Sequence, residues 1–289
     1  MDDIRKRIES KLKERIEEYG KNVYPKLLDA MKYSLLAGGK RLRPLIVYNT
    51  GIELGISEEI LINLGIAVEM IHTASLIHDD LPAIDDDDYR RGKPSCHRIF
   101  GEGMALVAGD GLILLSMKVL NDLEIEESTK LKLEMKLLES AGVNGMIGGE
   151  AEDIDMTGKY EKPDLERVLK MYERKTGALF SFSFSSPIIC IGDEELENRM
   201  DEIGRKFGVA FQIYDDLKDL IGTFEEIGKT PRKDEVMDKP TVPRLVGVEK
   251  AREIANGIYE EAVELLKETG KFGKLVGFLR RVKEEIERR

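Results

Sequence analysis

The chain has 289 residues, of which 42% are hydrophobic and 35% charged, so it can bury the core of one large domain or two modest ones. Its formal net charge of −11 argues against nucleic acid as a partner, because phosphate backbones are bound by basic surfaces. The charged N-terminus is unlike a signal peptide, and polar residues interrupt the longest apolar stretch, residues 60–77. We therefore expect a soluble, cytoplasmic protein without a transmembrane segment.

The two cysteines, Cys96 and Cys190, are far apart in the sequence, and neither belongs to a CxxC motif. This spacing favours free buried thiols over a disulfide or a metal site.

Apolar residues recur at helical spacing along most of the chain. They predict helices at roughly 2–18, 23–37, 42–54, 58–80, 103–122, 129–148, 164–190, 194–222, 247–268 and 271–288. Segment 58–80 is apolar nearly all round, which predicts a central helix surrounded by others. Residues 180–185 alternate Phe and Ser as a strand does, but helical signals on both sides favour a helix. We expect one all-α domain spanning 1–289.

Two aspartate-rich segments lie in or beside apolar helices. The first contains Asp79, Asp80 and residues 85–88, and the second contains Asp215, Asp216 and Asp219. Buried carboxylates are costly unless something pairs with them. Mg²⁺ takes one or two protein carboxylates and completes its coordination with water and substrate phosphate. Two such clusters facing each other predict a Mg²⁺-dependent diphosphate enzyme, whereas either one alone is also typical of a solvated acidic face.

The two clusters differ in local geometry. Asp215 and Asp219 are four residues apart on a predicted helix and share a face, with Asp216 about 100° round. Pro82 disfavours helical geometry at the residue before it, so the first helix should end near Asp80. Asp85 then returns by a loop.

Basic segments accompany the acidic ones. Residues 38–44, GGKRLRP, join two predicted helices, and the glycines let the backbone approach an anion. Residues 89–94, YRRGKP, follow the first acidic cluster, where arginine suits bidentate phosphate contacts. The simpler interpretations are a solvated loop for the first segment and charge balance for the second. His72, on the apolar helix, is by default a satisfied core histidine.

Together these segments resemble the trans-prenyltransferases, the head-to-tail isoprenyl diphosphate synthases such as farnesyl and geranylgeranyl diphosphate synthase. The resemblance runs end to end, and includes VAGDGL at 107–112, GGEAEDID at 148–155, ERKTGAL at 173–179 and GKTPRKDEVMDKPTVP at 228–243. It implies a bundle of about ten or more helices around a central active-site cavity. It also implies a homodimer, for which the apolar helices around 103–122 and 129–147 would supply the interface.

The resemblance also assigns roles to individual residues. The implied isopentenyl diphosphate ligands are Lys40, Arg43, His72 and Arg91. The implied allylic diphosphate ligands are Arg90, Lys175, Thr176, Gln212, Lys229 and Lys239. The implied Mg²⁺ ligands, with Mn²⁺ as a possible substitute, are Asp79, Asp85 and Asp215, supported by Asp80, Asp216 and Asp219. The catalytic set is then Asp79, Asp85, Lys175, Thr176, Gln212 and Asp215.

Two positions depart from the family pattern. Glu150 stands where the family usually has glutamine and adds a negative charge near the diphosphate site. Arg232 stands where the GKxxGxD pattern places glycine, which puts the shape of the loop between Lys229 and Lys239 in doubt.

Product length should depend on the residues that precede Asp79 on its helix. Those nearest are Ser75 and Ala74, with Ile71 and Met70 below them. Farnesyl synthases of this type typically carry an aromatic residue at the position of Ala74, which closes the pocket at fifteen carbons. Alanine leaves that volume open. We therefore expect geranylgeranyl diphosphate as the main product, with a farnesyl or longer-chain product as the alternative.

Three other interpretations compete with this one. A class I terpene cyclase uses a similar aspartate-rich site but binds one diphosphate, so it does not need Lys40, Arg43 and His72 together. A non-catalytic subunit of a heteromeric prenyl synthase typically loses acidic ligands, and none is lost here. A structural helical protein does not explain the basic residues.

Overall fold

The computed structural model describes residues 2–159, 163–221 and 237–287, and this part of the chain is almost entirely helical, as predicted. The helices are α1 Asp2–Tyr19, α2 Pro25–Leu35, α3 Leu42–Ile52, α4 Glu58–Asp79, α5 Cys96–Phe100, α6 Glu102–Asn121, α7 Glu127–Ala141, α8 Met146–Met156, α9 Leu165–Tyr172, α10 Ala178–Ile189, α11 Glu194–Ile221, α12 Val242–Val246, α13 Val248–Glu268 and α14 Gly273–Glu287. Two short strands, β1 Tyr89–Arg90 and β2 Lys93–Pro94, form an antiparallel hairpin.

The central helix is α4, as its all-round apolar sequence predicts. It packs against α3, α6 and α10, and its residues are buried in nearly every direction. Ser57 caps its start, since the Ser57 hydroxyl accepts a hydrogen bond from the backbone N–H of Ile60 at 3.4 Å. By length and composition alone, α4 and α6 could each cross a membrane. For α4 this is weak evidence of a membrane span, because 78% of its most apolar segment is buried inside the fold.

The alternating Phe–Ser segment is helical, as predicted, and belongs to α10. Phe180, Phe182 and Phe184 are all fully buried, because neighbouring helices surround α10. The serines between them remain satisfied inside the core. Ser183 and Ser185 each donate a hydrogen bond to the backbone carbonyl four residues earlier. A helix buried on every side needs no polar face, so the period-two pattern is not diagnostic of a strand there.

Not every predicted boundary was correct. The helix predicted at 129–148 ends at Ala141, and a separate helix, α8, begins at Met146. The chain turns between Gly142 and Gly145, where a Cβ on Gly145 would collide with backbone carbonyls of α7. The extent of the helix predicted at 164–190 is confirmed, with α9 and α10 continuous through a wider π-helical turn, Glu173–Gly177, that was not predicted. The helix α5, the short helix α12 and the β hairpin were not predicted.

Both cysteines are free, as predicted; Cys96 is buried and Cys190 is half-buried.

The close approach of α11 to the π turn gives a stability prediction. A Cβ on Gly208 would lie 2.5 Å from the Cα of Gly177, so Gly208→Ala forces the two backbones apart. We expect it to lower the free energy of unfolding by about 1–3 kcal/mol, measured by urea denaturation.

The matched control is Gly257→Ala in α13, an exposed helical glycine whose added Cβ would meet no atom within 4 Å. This change should raise stability by about 0.5–1 kcal/mol, because alanine favours a helix more than glycine does. Equal effects from the two substitutions would show that the contact between the backbones does not limit packing.

Candidate active site

The first acidic motif forms at the C-terminal end of α4. The helix ends at Asp79, close to the predicted boundary, and the following loop folds back onto it. The backbone N–H of Asp85 donates to the carbonyl of Asp79 at 2.9 Å, and that of Asp87 donates to the carbonyl of Asp80 at 3.2 Å. Four acidic residues are thereby gathered at one helix end.

The hairpin places Arg90 against this motif. Its guanidinium donates to Asp80 through Nε at 2.9 Å and through a second nitrogen, and to Asp87 at 3.2 Å. Burial raises the pKa of Asp80 to about 6, although Arg90 opposes the shift. Burial alone would lower the pKa of Arg90, but Asp80 and Asp87 outweigh it and raise that pKa. Asp80 therefore binds Arg90, which agrees with the supporting role implied for it.

Two lysines reach the same end of α4 from distant parts of the chain. Lys175, in the π turn, lies 2.6 Å from Glu150 and donates to Asp153, also at 2.6 Å. Lys239 lies 2.7 Å from Asp85 and 3.8 Å from Asp153. Three carboxylates, those of Glu150, Asp153 and Asp85, thus share two ammonium groups at this end of α4.

Asp79 lies close enough to Lys175, and to the carboxylates of Glu150 and Asp85, for their charges to act on it. Its pKa is raised to about 7, first by burial and then by the charges of Glu150 and Asp85, while Lys175 opposes the shift. For Lys175 itself, burial favours a lower pKa, but Asp153, Glu150 and Asp79 outweigh it and raise that pKa well above its usual value. The site therefore holds more negative charge than its own cations neutralise.

The second acidic motif lies on α11. Asp215 is exposed, whereas Asp216 and Asp219 are buried. Gln212 accepts a hydrogen bond from the hydroxyl of Thr176 at 2.7 Å and donates to Asp216 at 2.9 Å. A chain of hydrogen bonds therefore connects the π turn to this motif.

Asp216 has a second partner. The hydroxyl of Tyr172, at the end of α9, donates to Asp216 and accepts from the backbone N–H of Val242 at 3.3 Å. Asp216 thereby connects α9, α11 and the start of α12, which agrees with a supporting role.

Several arginines lie close enough to His72 for their charges to act on it. Arg43 is buried, with its guanidinium 4.3 Å from the centre of the Phe180 ring, while Lys40 is exposed. Burial and the nearby Arg91 lower the pKa of Arg43 to about 10, against the raising effects of Glu69 and Asp215. His72 is half-buried, and burial together with the charge of Arg43 lowers its pKa, so its imidazole is neutral near pH 7.

The acidic cluster fits Mg²⁺ by its chemistry. Within residues 2–159, 163–221 and 237–287, no three acidic, histidine or cysteine side chains converge to hold a metal by themselves. Mg²⁺ does not require this, since one or two carboxylates suffice when water and phosphate complete its shell. Asp79 and Asp85 offer oxygen donors only, and a bound cation would oppose both the burial and the neighbouring negative charges that raise the pKa of Asp79.

The remaining predicted residues are placed as follows. Ala74, Met70 and Ile71 are fully buried in α4 on the N-terminal side of Asp79. Ser75 is half-buried and donates to the carbonyl of His72 at 2.9 Å. The predictions for Lys229 and Arg232 lie outside the described residues.

Three residues of the site were missed from the sequence. Asp153 contacts both lysines, Tyr172 holds Asp216, and Glu69 contacts the arginines. A signal existed for Glu69, because it is the one carboxylate within the longest apolar stretch, residues 60–77. Asp153 and Tyr172 gave no comparable local signal.

Known proteins are similar to this chain in both sequence and architecture. A profile of the polyprenyl synthetase family matches residues 24–275. The chain is 41% identical to farnesyl diphosphate synthase of Bacillus subtilis over 268 residues, which cover 91% of this chain and 89% of that protein. Other curated relatives of about 40% identity are mostly farnesyl diphosphate synthases, and geranylgeranyl pyrophosphate synthases occur among them.

Solved structures of related proteins have the same fold as this chain. A geranyltranstransferase from Thermotoga maritima is 41% identical, covers 99% of each chain and superimposes with a TM-score of 0.85. A geranyltransferase from Helicobacter pylori, complexed with magnesium and isoprenyl diphosphate, is 28% identical, covers 97% of each chain and gives a TM-score of 0.83.

Proposed function

Because the chain belongs to the polyprenyl synthetase family and is a prenyltransferase, we propose that it condenses isopentenyl diphosphate with dimethylallyl, geranyl and farnesyl diphosphates. The observation that carries this proposal is the pairing of two unlike sites beside α4. One is a carboxylate cluster containing Lys175 and Lys239, and the other is an arginine cluster around His72. A reaction between two diphosphates, of which only one loses its diphosphate, needs two such sites.

The acidic cluster suits the allylic diphosphate. Mg²⁺, bound through Asp79, Asp85 and Asp215, would stabilise the negative charge of the departing diphosphate. Lys175 and Lys239 supply fixed positive charge at the same place, and Arg90 reaches it from the hairpin. Thr176 and Gln212 hold each other through a hydrogen bond, so their side chains are oriented before substrate binds.

The arginine cluster suits isopentenyl diphosphate, which keeps its diphosphate throughout. Arg43 and Arg91 offer guanidinium groups, and neutral His72 can donate a hydrogen bond without adding charge. When the C–O bond of the allylic diphosphate breaks, the diphosphate would leave with the electron pair; the double bond of isopentenyl diphosphate then attacks the remaining allylic cation, and a proton is lost. The released pyrophosphate is the base that we propose for this proton, because no histidine or carboxylate of the described site is spare for the task.

We expect purified protein to form no product in EDTA and to recover with Mg²⁺, with Mn²⁺ as a possible substitute. Asp215→Ala should lower kcat by several orders of magnitude while the protein stays folded, because Asp215 is exposed and contributes to metal binding rather than to packing. The measurement is release of pyrophosphate with and without isopentenyl diphosphate.

The control is Glu202→Ala, which removes an exposed carboxylate thirteen residues earlier on the same helix, where it lies 3.8 Å from Lys206, and should leave turnover unchanged. Near-normal turnover of Asp215→Ala would contradict the metal role. Release of pyrophosphate without isopentenyl diphosphate would instead favour a terpene cyclase.

The product we propose first is farnesyl diphosphate, because it is the product named for most of the curated relatives. Geranylgeranyl diphosphate, expected from the sequence, is the second candidate. It is supported by the small, fully buried side chain of Ala74 at the position where an aromatic residue would close the pocket.

The two products are separated by supplying farnesyl diphosphate as the primer. If Ala74 leaves room for a longer chain, the wild type should extend this primer to twenty carbons, and Ala74→Tyr should not, because the phenol fills that volume. Chromatography of the dephosphorylated products measures both. Both proteins should still elongate dimethylallyl diphosphate at similar rates. If the wild type does not extend farnesyl diphosphate, fifteen carbons is the end point and Ala74 does not set it.

We further propose a homodimer through α6 and α7. Their outer faces carry large exposed apolar side chains, which a monomer rarely leaves in contact with water. On these helices they are Leu106, Val107, Leu114, Leu131, Met135 and Leu138, and Val143 follows just after α7. Sedimentation equilibrium at micromolar concentration should give twice the chain mass, and Leu114→Glu should lower it; a wild-type monomer would contradict this proposal.

Two further expectations stay predictions. A single polyprenyl synthetase domain over 1–289 is supported by one core cluster that includes residues from Ile8 to Leu279 and by the profile match. The cytoplasmic location rests on the sequence alone.

A further inference from the structure

Glu69 is a buried carboxylate to which the proposed chemistry gives no role. It lies in the middle of α4 with 1% of its surface exposed. Its Oε1 accepts a hydrogen bond from Arg41 at 2.7 Å and lies 3.5 Å from a guanidinium nitrogen of Arg91. Arg41 belongs to the loop between α2 and α3, and Arg91 belongs to the hairpin. One carboxylate therefore joins the two segments that carry the proposed isopentenyl diphosphate ligands.

Both arginines sit in unusual backbone conformations. The φ angles are 51° at Arg41 and 54° at Arg91, in the left-handed region that non-glycine residues seldom adopt. Arg91 also lies directly on the loop, since a Cβ on Gly39 would be 3.1 Å from its guanidinium. Such conformations persist only where the surroundings enforce them, and the shared carboxylate is a contact that does so.

Glu69 does not pair equally with the three neighbouring arginines. Arg41 has a second acceptor, the carbonyl of Leu35 at 2.9 Å, so both of its terminal guanidinium nitrogens donate to the protein. Arg91 has the longer contact with Glu69 and a half-buried side chain. Arg43 has a buried Nε that forms no hydrogen bond within the described residues. Glu69 therefore neutralises Arg41 and leaves Arg43 and Arg91 able to bind an anion.

We propose that Glu69 is a positioning residue for the isopentenyl diphosphate site, which holds Arg41 and Arg91 together so that the loop and the hairpin present a preformed anion site. This inference rests on the proposed function. Without the carboxylate, three arginines repel one another at close range, and binding must supply the cost of gathering them. The allylic site has its own carboxylates and lysines and does not depend on this contact.

The test is Glu69→Gln, which keeps the shape and removes the charge. We expect the KM for isopentenyl diphosphate to rise about tenfold or more, because charge-assisted contacts that orient a ligand group are lost. The KM for the allylic diphosphate and kcat at saturating isopentenyl diphosphate should change less than about threefold. Calorimetric titration of isopentenyl diphosphate into the enzyme in EDTA should show the same loss of affinity without any turnover.

The matched control is Glu9→Gln. Glu9 lies 3.7 Å from the same guanidinium, that of Arg41, but its side chain is 40% exposed on α1. A change there should leave both KM values as they are. Arg43→Ala is the positive reference, since it removes a proposed ligand directly and should raise the same KM.

The results of these experiments distinguish failure of the Glu69 inference from failure of the proposed function. A folded Glu69→Gln protein with an unchanged isopentenyl diphosphate KM, or with both KM values raised equally, overturns the inference and indicates a purely structural ion pair. If this variant does not fold, Glu69→Asp decides, because its shorter carboxylate keeps the charge but cannot reach both arginines; the same split in KM supports the inference and no split overturns it. If the wild type neither turns over nor binds isopentenyl diphosphate, the proposed function itself is contradicted.

Discussion

The structure depends on the need to neutralise carboxylates at the end of an apolar helix. Asp79 and Asp80 lie at the C-terminus of α4, where the helix dipole is already negative and burial disfavours charge. Each neighbouring segment contributes a cation to that place: the hairpin brings Arg90, the π turn brings Lys175, and the segment before α12 brings Lys239. The loops are thus arranged around the charge, and the helices hold them there.

The same helix also separates the two sites. His72 and Asp79 are seven residues apart and lie on nearly the same face, so about 10 Å of helix separates the arginine cluster from the acidic cluster. Glu69 and Asp80 have similar roles at the two sites, since each is a buried carboxylate that accepts a hydrogen bond from an arginine outside α4. A rigid, fully packed α4 therefore fixes the spacing between two diphosphates, which is the requirement of a reaction that joins them.

The sequence revealed those features that depend on neighbouring residues. Pro82 located the end of α4, and the flanking helical signals correctly outweighed the alternation of Phe180 to Ser185. What it could not reveal were partners distant along the chain. Nothing near Asp153 indicates that it contacts Lys175 and Lys239, and the break between α7 and α8 depends on how glycines meet backbone carbonyls. Glu150 is the instructive case: the sequence predicts an extra negative charge there, but not the salt bridge to Lys175 that the structure shows.

The charge balance of the two sites implies that they differ in whether the anion needs a metal ion to bind. In the acidic cluster, Asp85, Glu150 and Asp153 contact the ammonium groups of Lys175 and Lys239, and Asp79 lies close enough for the charge of Lys175 to act on it. Four carboxylates therefore face two ammonium groups, and positive charge is in deficit before any diphosphate arrives. Glu150 deepens that deficit, and a diphosphate should enter only together with divalent cations. The arginine cluster has the opposite imbalance, since one carboxylate, Glu69, faces several guanidinium groups. Its anion needs no metal, and chelation should therefore abolish binding at one site while leaving the other intact.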